Sequence, residues 1–172
     1  MKRLLYLLAV SVIILSCSKN DSNNNNVEAA NIARMQEFYD QVMNAHNPSM
    51  IDSFVTSDFI DHQADPRHPA GIEGLKATMM EFFTAFPDLN FKTNIIKAWG
   101  DTVMAQVTIT GTNSGPFMGM PATNKQINYD GVDIVILKDR KAVEHWGYQE
   151  DMKMMAQLGL GQGPPVDSMV KK

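Results

Sequence analysis

Apolar residues in the first part of the chain return at helical intervals. Between Val27 and His46, Ile32, Met35, Phe38, Tyr39, Val42 and Met43 recur at steps of three and four and so share one helix face. "HNPSMIDSFV" (46–55) breaks that helix and starts a short one, with Asn47 as its cap and Pro48 in the first helical position. A second long helix is predicted from Ile72 to Phe86, with Ile72, Leu75, Met79, Phe82, Phe83 and Phe86 on one face and Pro87 as its stop. Beyond Pro87 the period falls to two. Phe91 to Trp99 reads as a strand, Gly100-Asp101 as a hairpin turn and Thr102 to Thr112 as the partner strand. Gln126 to Lys138 and Ala142 to Gln149 continue the alternation through a turn at Asp139-Arg140, and "DMKMMAQLG" (151–159) adds a short helix. Helices first and a strand meander second predict an α+β fold, with helices packed on one side of a curved antiparallel sheet.

The first sixteen residues follow neither period. Met1-Lys2-Arg3 is basic, Leu4 to Leu15 is apolar except for Ser11, and Ser16-Cys17 follows, which is the layout of a secretory signal. The apolar run is too short to span a bilayer comfortably. Cys17 is the chain's one cysteine, so no intramolecular disulfide can form. "IILSC" resembles the lipobox of bacterial lipoproteins, and lipidation of Cys17 is expected. An ordinary secretory peptide that happens to contain a cysteine is the alternative. "SKNDSNNNN" (18–26) can bury nothing and reads as a flexible tether. The expected organisation is a signal peptide at 1–16, an anchor and tether at 17–26, a domain at 27–160 and a Gly/Pro-containing tail at 161–172. Such a protein is exported and held at the cell envelope by its lipid alone.

Charge narrows the partners. The chain carries 15 Lys and Arg against 19 Asp and Glu, a net −4, and loss of the leader removes Lys2 and Arg3 and leaves the domain more acidic still. With no basic stripe, nucleic acid is excluded as a partner.

"FIDHQADPRHPAGIEGLKATMMEFFTAFPDLNF" and "VTITGTNSGPFMGMPATNKQINYDGVDIVILKDRKAVEHWG" resemble the SnoaL-like polyketide (ester) cyclases, which share the nuclear-transport-factor-2-like cone fold. The resemblance runs from about Asn31 to Leu158, with "AFPDL", "GTNSGPFMGMPAT" and "VEHWG" as its most specific pieces. It implies a cone-shaped half-barrel enclosing one apolar ligand, with no cofactor and no metal. The cyclases of this family close rings by an intramolecular aldol step, in which a carboxylate takes a C–H proton next to carbonyl groups. Their acid/base aspartate stands two residues after the histidine of "EH", a position held here by Gly147. A second pocket residue of those enzymes, a histidine on the preceding strand, corresponds to Asp133.

His145 and Asp133 are the candidate catalytic pair. Strand alternation puts Val143, His145 and Gly147 on one side and Glu144, Trp146 and Tyr148 on the other. A three-residue turn or a bulge near Asp139 would set Asp133 opposite Gly147 and beside His145; a regular two-residue turn would pair Asp133 with Trp146. The competing reading makes both residues a hydrogen-bonded core pair. The resemblance also implies that Asp61 and His62 lie at the pocket or its rim, and Trp99, Phe117, Met118 and Tyr129 are candidates for its apolar lining, with Gly147 leaving room for the ligand. A metal site from His62, His68 and an acid is disfavoured, because their spacing lacks the regularity of ligands on one helix face. His46 reads as a charge at a helix C-terminus.

The expected partner is a small apolar or carbonyl-bearing molecule, processed by cofactor-free chemistry of cyclase, isomerase or hydrolase type. The alternative is a non-catalytic lipoprotein that holds a lipophilic ligand. Trp146 and Tyr148, if outward, would suit a homodimer interface.

Overall fold

The computed structural model describes residues 24–160, so the leader, Cys17 and the tail from 161 onward lie outside it. Helix α1 spans 24–38 and passes directly into a π-helical turn, Tyr39–Met43. It ends at His46, whose φ of 50° reverses the chain. The His46 ring is fixed by the Leu89 carbonyl at 2.8 Å and by stacking on Phe83. Pro48 opens a 3-10 turn, Pro48–Met50, that runs into α2, Ile51–Phe54. The expected Asn47 cap is not made by its side chain, which instead accepts a bond from the Ser49 hydroxyl.

Strand β1, Val55–Asp61, follows α2 and leads to α3, Gly71–Ala85. The rest is the expected meander: β2, Asn90–Trp99; β3, Thr102–Thr112; β4, Gln126–Lys138; and β5, Lys141–Gln149; then α4, Asp151–Leu158. These strands form one open sheet in the order β1-β5-β4-β3-β2. The meander is antiparallel, but β1 joins β5 in parallel and makes the sheet mixed. The helices cover one face, and the π turn, β3 and β4 bring Tyr39, Val42, Val103, Val107, Ile109, Ile127 and Tyr129 into the core. Strict alternation along β3 and β4 directs every second side chain into that core.

Two local features of β4 and β5 position the site. Asp139 and Arg140 both take positive φ, 50° and 63°, in a two-residue turn of the primed type whose twist suits a hairpin. By itself that turn would pair Asp133 with Trp146. A bulge in β5 lets Ile136 pair with Glu144 while Leu137 pairs with Ala142, so Val143 is left over. The extra residue moves the register by one, and Asp133 stands opposite Gly147. It also switches the side on which residues before it point, so that Ala142 rather than Val143 faces inward with His145.

Candidate active site

Between the sheet and the helices lies a cavity of about 110 Å³. Its wall is mostly apolar: Met35 and Phe38 from α1, Phe54 and Val55 around α2, Leu75, Met79 and Phe82 from α3, and Val135 and Ala142 from the sheet. Into it reach Tyr39, Asp133 and His145, with Tyr129 further along β4 and Gln149 at the exposed end of β5.

A single line of hydrogen bonds joins four side chains from four elements. His145 Nδ1 meets Asp61 Oδ1 at 3.0 Å and His145 Nε2 meets Asp133 Oδ1 at 3.3 Å. The Tyr39 hydroxyl donates to Asp133 Oδ2 at 2.5 Å. Each contact follows from the backbone. The parallel register sets Asp61 directly against His145, and the bulge brings Asp133 to the same end of β5. The π turn presents Tyr39 inward; such turns recur at functional sites.

Electrostatics fix the charges along this line. Burial alone would discharge the imidazole. The hydrogen bonds and charges of Asp133 and Asp61 outweigh burial, and the pKa of His145 is pushed up to about 9. At neutral pH both ring nitrogens therefore carry protons and both donate. Asp61 likewise loses hydration, yet the bond and charge of His145, the Gln63 N–H and the charge of His62 hold its carboxyl below the usual range. Burial raises Tyr39 well above an ordinary phenol, and the Asp133 charge and hydrogen bond add to it, so Tyr39 remains a neutral donor. Asp133 itself is only 8 % exposed. A Cβ on Gly147 would stand 3.1 Å from His145 Cε1 and 3.5 Å from Asp133 Oδ1, so glycine there leaves the pair its space.

Of the residues singled out from sequence, Asp133, His145 and Tyr129 reach the cavity and Asp61 supports it from behind His145. Several others do not. His62 turns outward, bonded to Glu144 at 2.8 Å and stacked on Trp146 at 4.2 Å. Trp99, at the last position of β2, is 60 % exposed. Phe117 packs against Phe82 and Phe86, one layer behind the cavity wall. Met118 is 43 % exposed, on a loop pinned by its own N–H to Glu81. That loop, 113–123, is organised by Asn113, which bonds Gly115 and Thr123, and it closes over the end of α3 rather than over the ligand space. Tyr39 was not singled out, because its place in the helical repeat marks it as core. Asp65, His68 and Glu81 have donor atoms within 4.8 Å of one another, but the Arg67 guanidinium already bridges both acids, and His62 is not among them.

Helices packed on one face of an open, curved five-stranded sheet make this an α+β cone of the nuclear-transport-factor-2-like class. Residues 33–158 match the model of the SnoaL-like polyketide cyclases, and the chain belongs to that family. A Bacillus cereus protein named as a polyketide cyclase is 28 % identical, with 76 % of this chain and 81 % of that one covered and a TM-score of 0.66. AclR from Streptomyces galilaeus, named as a hydroxylase, is 26 % identical over 83 % of this chain and 89 % of its own, with a TM-score of 0.69. TsrD from Streptomyces laurentii shares the fold at 24 % identity, with 77 % and 96 % covered and a TM-score of 0.69. A search of curated proteins returns no match.

Proposed function

We propose that this SnoaL-like domain binds a small, neutral, carbonyl-bearing molecule and moves a proton on it without a cofactor. The observation that carries the reading is the Asp61–His145–Asp133–Tyr39 line, which ends in a mostly apolar cavity. A carboxylate has about four lone-pair sites, and Asp133 spends two on His145 and Tyr39. A third can take a proton from a C–H next to a carbonyl. The C–H electron pair moves onto the carbonyl oxygen as an enolate, the proton rests on Asp133, and its return to another carbon completes an isomerisation. If the enolate carbon instead attacks a second carbonyl of the same molecule, a ring closes, the π electrons of that carbonyl move onto its oxygen, and Asp133 gives its proton to the alkoxide. The positive charge of His145 lies beside the developing negative charge and favours it. Because a carboxylate is a weak base, the C–H must be acidified by its neighbours.

Size supports a small substrate. A cavity of about 110 Å³ is of the order of the roughly 150 Å³ that takes one benzene ring, which favours a ligand of one ring or a short chain. Export and lipid anchoring at Cys17 belong to the same proposal and rest on residues 1–17 of the sequence. A homodimer on the outer sheet face also belongs to it and rests on Trp146, paired with Ile134, and Tyr148, paired with Val132.

Dimethyl malonate, whose central C–H lies between two carbonyls, tests the chemistry. In D2O the wild-type protein should speed deuterium uptake at that carbon above the buffer rate, and Asp133→Asn should remove the acceleration. Binding without exchange would refute the catalytic reading and leave a ligand-holding protein.

A further inference from the structure

Every polar group at the inner end of the cavity is committed to another. Tyr39 gives its proton to Asp133, and both nitrogens of His145 face carboxylates. Tyr129 differs. It stands on β4 four residues before Asp133, so both side chains face the same way. Gly131 lies between them on that face and contributes no side chain to the wall. Tyr129 is 1 % exposed and lines the cavity, yet its hydroxyl has no hydrogen-bond partner among the described residues. Burial, then the charges of Asp151 and Asp133, raise its pKa, so the O–H stays protonated. The hydroxyl is not sealed in: among the described residues Thr93 alone combines a fully buried oxygen with the lack of a partner. The phenol lines the cavity, where a ligand can accept its proton.

We propose that the Tyr129 hydroxyl is the donor that recognises the ligand's carbonyl oxygen and so orients the adjacent C–H toward Asp133. The inference rests on the reading of this cavity as the site for a carbonyl compound, and it names the protein atom that reads the oxygen. Among the cavity residues Tyr129 is then a binding residue whose loss changes which molecules enter.

The test uses two molecules of nearly the same shape, cyclohexanone and methylenecyclohexane, which differ in an oxygen against a CH2 group. Dissociation constants for both are measured by NMR titration on the full chain, on Tyr129→Phe and on Trp99→Phe, a change on the outside of the sheet. One neutral hydrogen bond predicts that Tyr129→Phe lowers the preference for the ketone by about three- to tenfold and leaves binding of the hydrocarbon unchanged. Trp99→Phe should leave the preference intact. An unchanged preference in Tyr129→Phe overturns the assignment while the cavity remains a ligand site. Wild-type protein that binds neither molecule overturns both the assignment and the reading beneath it. If Tyr129→Phe does not fold, intermolecular NOEs from bound cyclohexanone to the Tyr129 ring in the wild type take its place, and their absence overturns the assignment.

Discussion

Replacing Tyr39 by phenylalanine removes one oxygen and with it the 2.5 Å bond to Asp133 Oδ2. The ring keeps its neighbours, stacked on Phe91 at 6.0 Å and edge-on to Phe38 at 6.2 Å, so little packing is lost. A hydrogen bond to a charged acceptor contributes about 1.5–3 kcal/mol. His145 still holds the other carboxylate oxygen, which places the expected loss near the middle, about 2 kcal/mol. In urea this lowers the unfolding midpoint by about 1 M at the usual slope for a small domain. Charge is the source of the size, so the same substitution made on Asp133→Asn should cost about half as much, since a neutral acceptor makes a bond about half as strong. Urea unfolding of the four proteins at pH 7 measures the coupling directly. A cost under about 0.5 kcal/mol, or an equal cost with Asp and Asn at 133, would refute the hydrogen-bonded line.

Three further outcomes follow from the same geometry. The pKa of His145 is raised in the fold from 6.5 to about 9, so its stabilisation is complete below pH 6.5 and is lost as pH climbs through about 9; urea unfolding across that window should register a fall of up to about 3 kcal/mol. Asp61, whose folded pKa is depressed, works in the opposite sense: its contribution is present above the ordinary 3.8 and disappears as acid protonates the folded carboxyl, which an acid titration followed by circular dichroism would detect. The Thr93 hydroxyl is buried without a partner among the described residues, and Thr93→Val should raise stability by about 1 kcal/mol; a melting temperature that drops would point to a bond not accounted for.

Much of the scaffold was legible because it is written locally. The switch from steps of three and four to steps of two at Pro87 marks where helices give way to strands, and Gly100-Asp101 marks the first hairpin; the observed β2 and β3 differ from expectation by one residue at most. Strand β1 was harder. "VTSDFID" has polar residues at its centre and lies at the sheet edge, so it carries no long alternation. Its parallel pairing with β5 joins residues more than eighty apart, and only that pairing brings Asp61 to His145. The position of Asp133 depended on a choice that periodicity leaves open, and one extra residue at Val143 decides it. Tyr39 escaped notice because a cavity-facing phenol and a core phenol occupy the same helical repeat. An apolar loop covers something, but composition does not say what: Phe117 packs on Phe82 and Phe86, and Met118 lies by the end of α3 beside Glu81.

The account stands on an imidazolium held between two carboxylates at the edge of an apolar cavity. A pH titration of the His145 ring by NMR, in the wild type and in Asp133→Asn, reads that state directly. The ring should titrate near 9 in the wild type and fall by a unit or more, about 1.4 kcal/mol or above, once Asp133 loses its charge. Titration near 6.5 in the wild type, or a value that the substitution leaves in place, would contradict it.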